Sequence, residues 1–330
     1  MKKGLLLINL GTPDSTKQVD VKRYLRQFLV DKRVIDIPAV VRYFLVYALI
    51  VPFRAKNSAH AYQSVWTSRG SPLMVHSQDL VVSVQRILGE SYQVALGMRY
   101  GNPSIEQAIN ELKLCKEITI LPLYPQYSSA ATGSSIAEVM RILSTKEIVP
   151  SVKIIRDFYN HPAYLTALTD VIQRHLDKDA YLLFSYHGVP ERHMIKGGCK
   201  TVCSEHCPPV DLGNQGCYRA QCFETSRLLA HRLGLSTEQY SIAFQSRLGK
   251  TPWIKPYTDQ ILPTLMNKGI KKIAVVCPSF TADCLETLEE IGMRLKEQWL
   301  DLGGQRFTQI PCLNVEQYWI EAIAQMVGEY

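Results

Sequence analysis

Short runs of apolar residues alternate along the chain with longer stretches in which apolar residues recur every three or four positions. The short runs end in glycine, proline or polar residues and predict buried strands, whereas the periodic stretches predict helices. The predicted strands span 5–10, 92–98, 118–123, 152–155, 181–187, 241–244 and 272–276. The predicted helices span 20–29, 75–88, 105–114, 132–143, 162–175, 226–233, 285–298 and 317–327. Strands that alternate with helices predict an α/β fold with parallel sheets.

The second half of the chain repeats the first. The segment LLLINLGTP (5–13) matches LLFSYHGVP (182–190), YQVALGMRYGNP (92–103) matches YSIAFQSRLGKTP (240–252), and ITILPLYPQY (118–127) matches IAVVCPSF (273–280). Three matches in one order indicate a duplicated doubly wound domain. We expect two Rossmann-like domains, 1–150 and 151–330, with a ligand cleft between them at the carboxyl ends of the strands. Packing of the last helix back onto the N-terminal domain is one option.

Composition narrows the class of protein. The 330 residues are 46% hydrophobic and 20% charged, which is typical of a soluble globular protein of about two domains. The net charge of +7 comes without a block of like charges and does not predict nucleic-acid binding. Neither GxGxxG after the first strand nor GxxxxGK[ST] is present, so no motif supports nucleotide binding. Residues 1–10 predict a strand and not a signal peptide, and we expect a cytoplasmic protein.

The most apolar later stretch, residues 43–53, allows two interpretations. It is flanked by Arg42 and Arg54 and is shorter than the roughly 20 residues of a membrane span. Its length favours a buried helix. The alternative is an exposed lip that contacts lipid or an apolar ligand, with peripheral attachment to the inner face of a membrane as one consequence.

Two stretches carry candidate chemistry. His187 ends a predicted strand, at the sheet edge where ligands of α/β proteins bind, and an imidazole exchanges protons near neutral pH. A histidine satisfied by a backbone carbonyl explains the position equally well. Further on, Asp283 is predicted to cap a helix on which Glu286 and Glu290 share one face. A row of carboxylates can bind a divalent cation or carry protons, although an acidic first helical turn exposed to solvent is the simpler alternative.

Several strings resemble the motifs of the ferrochelatase family. They are FSYHGVP (184–190), FQSRLG (244–249) followed by Trp253 and Pro256, and DCLETLEE (283–290), and LGTP (10–13), Arg99-Tyr100, YPQYS (124–128) and TGSS (132–135) agree with them. The resemblance covers nearly the whole chain, and many motifs in one order make it more specific than any single motif. It implies an enzyme with the class II chelatase fold, two Rossmann-like domains around a porphyrin cleft, that inserts Fe²⁺ into a porphyrin without a nucleotide cofactor.

The same resemblance implies roles for individual residues. His187 is then the active-site histidine, as acceptor of a pyrrole proton or as part of the site for the substrate Fe²⁺, and Glu286 is the essential glutamate opposite it. Asp283 and Glu290 match an acidic path for protons or metal. Residues 35–55 match the active-site lip. The implied porphyrin contacts are Leu10, Ile35, Ser71, Pro72, Arg99, Tyr100, Tyr124 and Trp253.

The choice of porphyrin depends on one position. Family members that act on coproporphyrin carry a tyrosine immediately before the first Gly-Thr-Pro, where this chain has Leu10. We therefore expect protoporphyrin IX as the substrate, with a coproporphyrin chelatase as the alternative. A haem or iron sensor without catalysis is an alternative of another class. The expected assembly is a monomer or a homodimer.

Five of the nine cysteines lie between residues 199 and 222. The simplest family members are shorter here and hold one cysteine, which Cys222 matches. The insertion, 197–222, thus adds Cys199, Cys203, Cys207 and Cys217. Four thiolates suffice for a [2Fe–2S] cluster, which some ferrochelatases carry, and Cys222 is an alternative ligand. Zinc, with His206 as a competing ligand, and a loop of unligated cysteines remain alternatives. The other four cysteines are expected to be buried, and they are Cys115, Cys277, Cys284 and Cys312.

Overall fold

The computed structural model describes residues 2–204, 206–249 and 251–329. These residues form two compact units. The first unit comprises 2–124, 128–157 and 323–329, and the second comprises 125–127 and the described part of 158–322. Each unit contains one four-stranded parallel sheet.

The first sheet has the strand order β2-β1-β3-β4. Its strands are β1 (Lys3–Asn9), β2 (Tyr92–Met98), β3 (Glu117–Pro122) and β4 (Ser151–Ile154). The α-helices of this part of the chain are α1 (Gln18–Leu29), α2 (Ala39–Phe44), α3 (Val51–Val65), α4 (Pro72–Leu88), α5 (Ile105–Glu111) and α6 (Ser134–Leu143). The central strand β1 is buried from Gly4 to Asn9 because it has a paired strand on either side and helices cover the sheet.

The second sheet has the order β6-β5-β7-β8. Numbered along the chain within each sheet, the strands of both sheets therefore lie in the order 2-1-3-4. Its strands are β5 (Tyr181–His187), β6 (Tyr240–Gln245), β7 (Lys272–Val276) and β8 (Arg306–Gln309). The remaining α-helices are α7 (Pro162–His175), α8 (Glu191–Lys196), α9 (Tyr218–Leu233), α10 (Thr258–Asn267), α11 (Lys296–Asp301) and α12 (Gln317–Glu329). The predicted α/β class and the duplication are confirmed. The sequence missed β8, whose partly polar residues lack an apolar run because it is an edge strand.

The predicted helix over 285–298 takes an unexpected form. Residues Glu286–Leu295 form a π-helix, with hydrogen bonds between residues five apart, and α11 continues it. Further π-helices span Leu45–Ile50 and Ser129–Gly133. The apolar periodicity of a sequence does not separate the two helix types, so this difference appears only in the structure.

The apolar stretch at 43–53 is largely exposed. We define the exposed lip as Val40, Val41, Tyr43, Phe44, Tyr47, Leu49 and Phe53, with Phe44 64% and Phe53 75% exposed. Only Val46 and Val51 of this stretch are fully buried. The prediction of a buried helix was therefore wrong, because most of the apolar side chains here face away from the core. None of the helices in the described ranges combines the length and the apolar character that a membrane span requires.

Candidate active site

His187 is the last residue of β5 and is held on several sides. It pairs in register with Gln245 of β6, and its backbone N–H donates to Ser279 Oγ at 3.0 Å. Its ring nitrogen Nδ1 lies 2.6 Å from the carbonyl oxygen of Gly188. Because a carbonyl oxygen only accepts, Nδ1 carries the proton of this bond, and in the neutral ring Nε2 keeps the lone pair. The ring also lies edge-on to Phe280, with centroids 6.1 Å apart.

Glycine follows the central strand in both sheets for a steric reason. A Cβ at Gly188 would lie 2.8 Å from the carbonyl oxygen of Gln245. At Gly11, which has φ +110°, a Cβ would lie 1.7 Å from the carbonyl oxygen of Tyr100. The neighbouring strand therefore passes close to the turn in each unit, and only glycine leaves room for it.

Glu286 begins the π-helix and is half-buried. Its backbone carbonyl accepts a 2.9 Å hydrogen bond from Nε2 of Gln245, while Oε1 of the same amide accepts from Ser185 Oγ at 2.7 Å. Gln245 also faces His187 across the strand pair. One buried amide therefore connects the segments that carry His187 and Glu286. Sequence reasoning passed over Gln245, although a glutamine that ends a run of apolar strand residues was a usable signal.

Asp283 and Glu290 both have specific partners. The Asp283 carboxylate is buried and accepts from Asn314 Nδ2 at 2.7 Å, Thr287 Oγ1 at 3.0 Å and the Cys312 backbone N–H at 3.3 Å. The expected helix cap was wrong, because the carboxylate bonds to the 312–314 segment and the helix begins beyond it, after Leu285.

The other carboxylate, Glu290, binds a turn. It accepts from the Ser246 backbone N–H at 2.9 Å and from Ser246 Oγ at 2.5 Å. Ser246 has φ 61°, a strained conformation that these two hydrogen bonds stabilise. Glu290 therefore holds the turn that follows β6, immediately after Gln245.

Arg99 and Tyr100 follow β2 in the first unit and share a carboxylate partner. Arg99 Nη2 lies 2.6 Å and Tyr100 OH 2.9 Å from Asp31 Oδ2. Ser134 Oγ donates to the same oxygen at 2.5 Å and accepts from Arg99 Nε at 2.7 Å. Burial, reinforced by the charge of Asp31, raises the pKa of Tyr100 well above its usual value. Sequence reasoning did not single out Asp31, and Ser134 entered only within the string TGSS, because no spacing links either residue to Arg99.

The remaining predicted porphyrin contacts lie in various environments. Ser71 Oγ accepts from Thr12 Oγ1 at 2.8 Å, next to Pro72 at the start of α4. Trp253, in the second unit, donates from Nε1 to the carbonyl of Leu248 at 3.1 Å. The side chains differ in exposure: Ile35, Ser71, Pro72 and Tyr100 are buried, and Leu10, Arg99, Tyr124 and Trp253 are partly exposed.

The cysteine insertion contains a buried polar contact at Cys207. Cys207 Sγ accepts a 2.8 Å hydrogen bond from Nη1 of the buried Arg219, whose guanidinium lies 4.3 Å from the ring centroid of Phe223. Burial raises the pKa of the Cys207 thiol to about 12, while Arg219 acts in the opposite direction and the nearby Cys203 and Cys217 raise it further. Cys199 and Cys203 likewise raise the pKa of Cys217, after the larger effect of burial. The four inserted thiols are therefore electrostatic neighbours.

The donor types of the insertion fit an iron–sulfur cluster, since four thiols and a buried guanidinium favour a soft, negatively charged group. The ligand geometry is not formed, because across 2–204, 206–249 and 251–329 no group of three or more His, Cys, Asp or Glu side chains is arranged to hold a metal ion. Cys222 is fully buried in α9, and burial raises the pKa of its thiol, with smaller contributions in the same direction from Cys217 and Cys207. The prediction that Cys115, Cys277, Cys284 and Cys312 are buried is confirmed.

Comparison with known proteins identifies the family. The family model for ferrochelatase matches residues 2–330. The ferrochelatase of Legionella pneumophila (strain Lens) is 59% identical over 329 residues, covering 100% of this chain and 99% of the relative. That of Coxiella burnetii (strain CbuK_Q154) is 51% identical, covering 98% of this chain and 93% of the relative. The cobalt complex of the sirohydrochlorin chelatase SirB from Bacillus subtilis has the same fold, with a TM-score of 0.55 at 9% identity, covering 100% of this chain and 95% of that one. This chain belongs to the ferrochelatase family.

Proposed function

We propose that this protein inserts Fe²⁺ into protoporphyrin IX to form protohaem and releases two protons. Its membership of the ferrochelatase family over the full chain is the observation that carries the proposal. The local geometry supports a role for His187, since Nδ1 donates to Gly188 and leaves Nε2 available as a base.

The chemistry requires a proton acceptor and a place for the metal. Two pyrrole N–H protons must leave as the metal enters, and we assign the first acceptance to His187 Nε2. Glu286, at the start of the π-helix, is proposed as the carboxylate opposite it, because imidazole and carboxylate are suitable transient ligands for Fe²⁺. Asp283 and Glu290 are proposed to line the path by which protons or metal move. Their hydrogen bonds to Asn314 and Ser246 hold the carboxylates in fixed positions.

Metal insertion by the purified protein tests this assignment. Protein mixed with protoporphyrin IX and Zn²⁺ or Fe²⁺ should form the metalloporphyrin, and His187→Ala or Glu286→Gln should lower the turnover by roughly 10²–10⁴-fold. His231→Ala is the matched control, because His231 is an exposed histidine on α9. Wild-type turnover in the His187 variant would refute the mechanism. Porphyrin binding without metallation by the wild-type protein would support the sensor instead.

We propose protoporphyrin IX over coproporphyrin because Leu10 offers no polar group to an additional carboxylate. Protoporphyrin has two propionates, and coproporphyrin has four. Side-by-side assays with the two porphyrins should give the larger kcat/KM for protoporphyrin IX, and a preference for coproporphyrin would reverse the assignment. Leu10→Tyr tests whether this position contributes to the choice.

We also propose that the cysteine insertion holds a [2Fe–2S] cluster. Cys199, Cys203, Cys207 and Cys217 would be the ligands, with the buried guanidinium of Arg219 beside Cys207 offsetting their negative charge. The cluster would supply one-electron redox chemistry or a cross-link for the loop, and no step of metal insertion depends on it. Freshly purified protein should absorb at roughly 330–550 nm and bleach with dithionite. Colourless protein with one zinc per chain would favour zinc, and colourless metal-free protein would favour unligated cysteines.

The exposed lip supports peripheral membrane contact by a cytoplasmic protein. Its seven apolar side chains lie close together in sequence, beside the basic residue Arg54. The protein should sediment with anionic phospholipid vesicles, and Phe44→Ser with Phe53→Ser should reduce the bound fraction. Equal sedimentation of this double variant would rule out the lip as the contact. The mass of the protein in dilute buffer separates a monomer from a homodimer.

A further inference from the structure

Asp31, just after α1, is the acceptor at which several groups of the first unit meet. Its Oδ2 accepts from Arg99 Nη2 at 2.6 Å, Tyr100 OH at 2.9 Å and Ser134 Oγ at 2.5 Å. Its Oδ1 accepts from the backbone N–H of Arg33 at 2.7 Å. Four donors therefore converge on one carboxylate, and two of them belong to the consecutive residues assigned above to the porphyrin site.

The ion pair between Asp31 and Arg99 is well shielded from water. The Asp31 side chain is 7% exposed and that of Arg99 is 16% exposed. Burial by itself would raise the pKa of Asp31, but the hydrogen bonds from Ser134 and Arg33 and the charge of Arg99 hold it below its usual value. Both groups are therefore charged in the folded protein, and each cancels the charge of the other.

The pair also restricts the orientation of both residues that follow β2. Arg99 is held at one end by Asp31 and at Nε by Ser134 Oγ, and its guanidinium lies 4.6 Å from the ring centroid of Tyr100. The Tyr100 ring is in turn fixed through its hydroxyl. Without the carboxylate, the guanidinium would lose its charge partner and would be expected to turn towards water or towards another anion.

We propose that Asp31 is a positioning residue of the porphyrin site, which holds Arg99 and Tyr100 in one orientation and cancels the charge of Arg99. This inference rests on the proposed function, since it takes the partly exposed Arg99 to contact the macrocycle, with the buried Tyr100 packed against its guanidinium. Asp31 acts through Arg99 and does not itself touch the porphyrin. It therefore affects porphyrin binding more than metal binding.

A double-mutant cycle tests the inference. Asp31→Asn keeps the shape of the side chain but removes its charge and turns an amide towards the donors. It should raise the porphyrin Kd, measured by fluorescence in the absence of metal, and the porphyrin KM by roughly tenfold, because a charge-assisted hydrogen bond is lost. The metal KM should stay within about twofold, since the metal site in the second unit is untouched. In Asp31→Asn with Arg99→Leu, the porphyrin Kd should be no larger than in Arg99→Leu alone.

Two further variants keep the experiment decisive. Asp79→Asn is the matched control, because Asp79 also pairs with an arginine, Arg69, but at an exposed position. If Asp31→Asn does not fold, Ser134→Ala removes one donor and should raise the porphyrin Kd by a smaller factor.

The outcomes separate this inference from the proposed function. Wild-type protein that binds and metallates porphyrin, with a Kd unchanged by Asp31→Asn and by Ser134→Ala, overturns the inference alone. Multiplying effects of Asp31→Asn and Arg99→Leu overturn it as well. Wild-type protein that binds porphyrin but does not metallate it refutes the proposed function, and the Kd values of the variants still decide the inference. Wild-type protein that binds no porphyrin overturns both.

Discussion

Replacement of Gln245 by methionine tests whether one buried amide keeps the two candidate catalytic segments together. Gln245 is 3% exposed, accepts from Ser185 Oγ through Oε1 and donates to the Glu286 carbonyl through Nε2. It also pairs with His187 across β5 and β6. Methionine keeps the length and the apolar part of the side chain but offers no donor to the carbonyl of Glu286.

The expected loss of stability in Gln245→Met follows from the hydrogen bonds that it removes and those that remain. Ser185 Oγ loses Gln245 Oε1 but keeps Thr258 Oγ1 as a hydrogen-bond partner at 2.9 Å. The carbonyl of Glu286 loses a 2.9 Å donor, and leaving such a group unsatisfied costs about 1–3 kcal/mol. The apparent free energy of unfolding should fall by that amount. Because Glu286 begins the π-helix, a shift of about 1 Å there should also lower kcat by up to roughly 100-fold.

Urea denaturation and steady-state zinc insertion measure the two effects on the same variant. Gln298→Met is the matched control, since Gln298 also donates from Nε2 to a backbone carbonyl, that of Asp259, at 2.9 Å. The control should lose some stability and keep its kcat. If Gln245→Met lowers stability as expected but turns over like the wild type, then the amide is a packing element and does not position Glu286.

Three further predictions concern other parts of the chain. Gly11→Ala should lower the melting temperature by several degrees or prevent folding, because its Cβ would lie 1.7 Å from the Tyr100 carbonyl oxygen, and calorimetry measures this. Arg219→Met should slow alkylation of Cys207 in metal-free protein, because Arg219 lowers the pKa of that thiol. Mass spectrometry after iodoacetamide treatment measures the alkylation rate, and an unchanged rate would contradict the electrostatic assignment. The interactions that lower the pKa of Asp31 stabilise the fold at pH values above about 3.9, the pKa of an aspartate in the unfolded chain. This stabilisation is lost as the pH falls through the lower folded-state pKa. Acid should therefore destabilise the wild type more than Asp31→Asn, and urea denaturation at pH 7 and near pH 3 compares them.

The strands and their duplication were readable from the sequence because their causes are local. A buried strand is an apolar run closed by a turn, and the segments ending at Gly11 and Gly188 carry that pattern in matching order. The structure confirms it with two sheets of the same strand order. The family motifs were equally visible, since each is a short string that does not depend on distant residues.

The failures came from properties that depend on the surroundings of a segment. The exposed lip has the same apolar pattern as a buried helix, and only the positions of Phe44 and Phe53 relative to the core separate the two. Asp283 has the sequence position of a helix cap, but Asn314 and the backbone of Cys312 offer its carboxylate better-placed donors.

By itself, the sequence determined the α/β class, the internal repeat and the positions of His187 and Glu286 within family motifs. Only the tertiary structure decided which groups hold the candidate site residues in place. Asp31 reaches Arg99 across 68 positions of the chain, and Gln245 reaches Glu286 across 41. Such partners are chosen by how strands and helices pack in space, because a hydrogen bond depends on a distance of about 3 Å and not on separation along the chain.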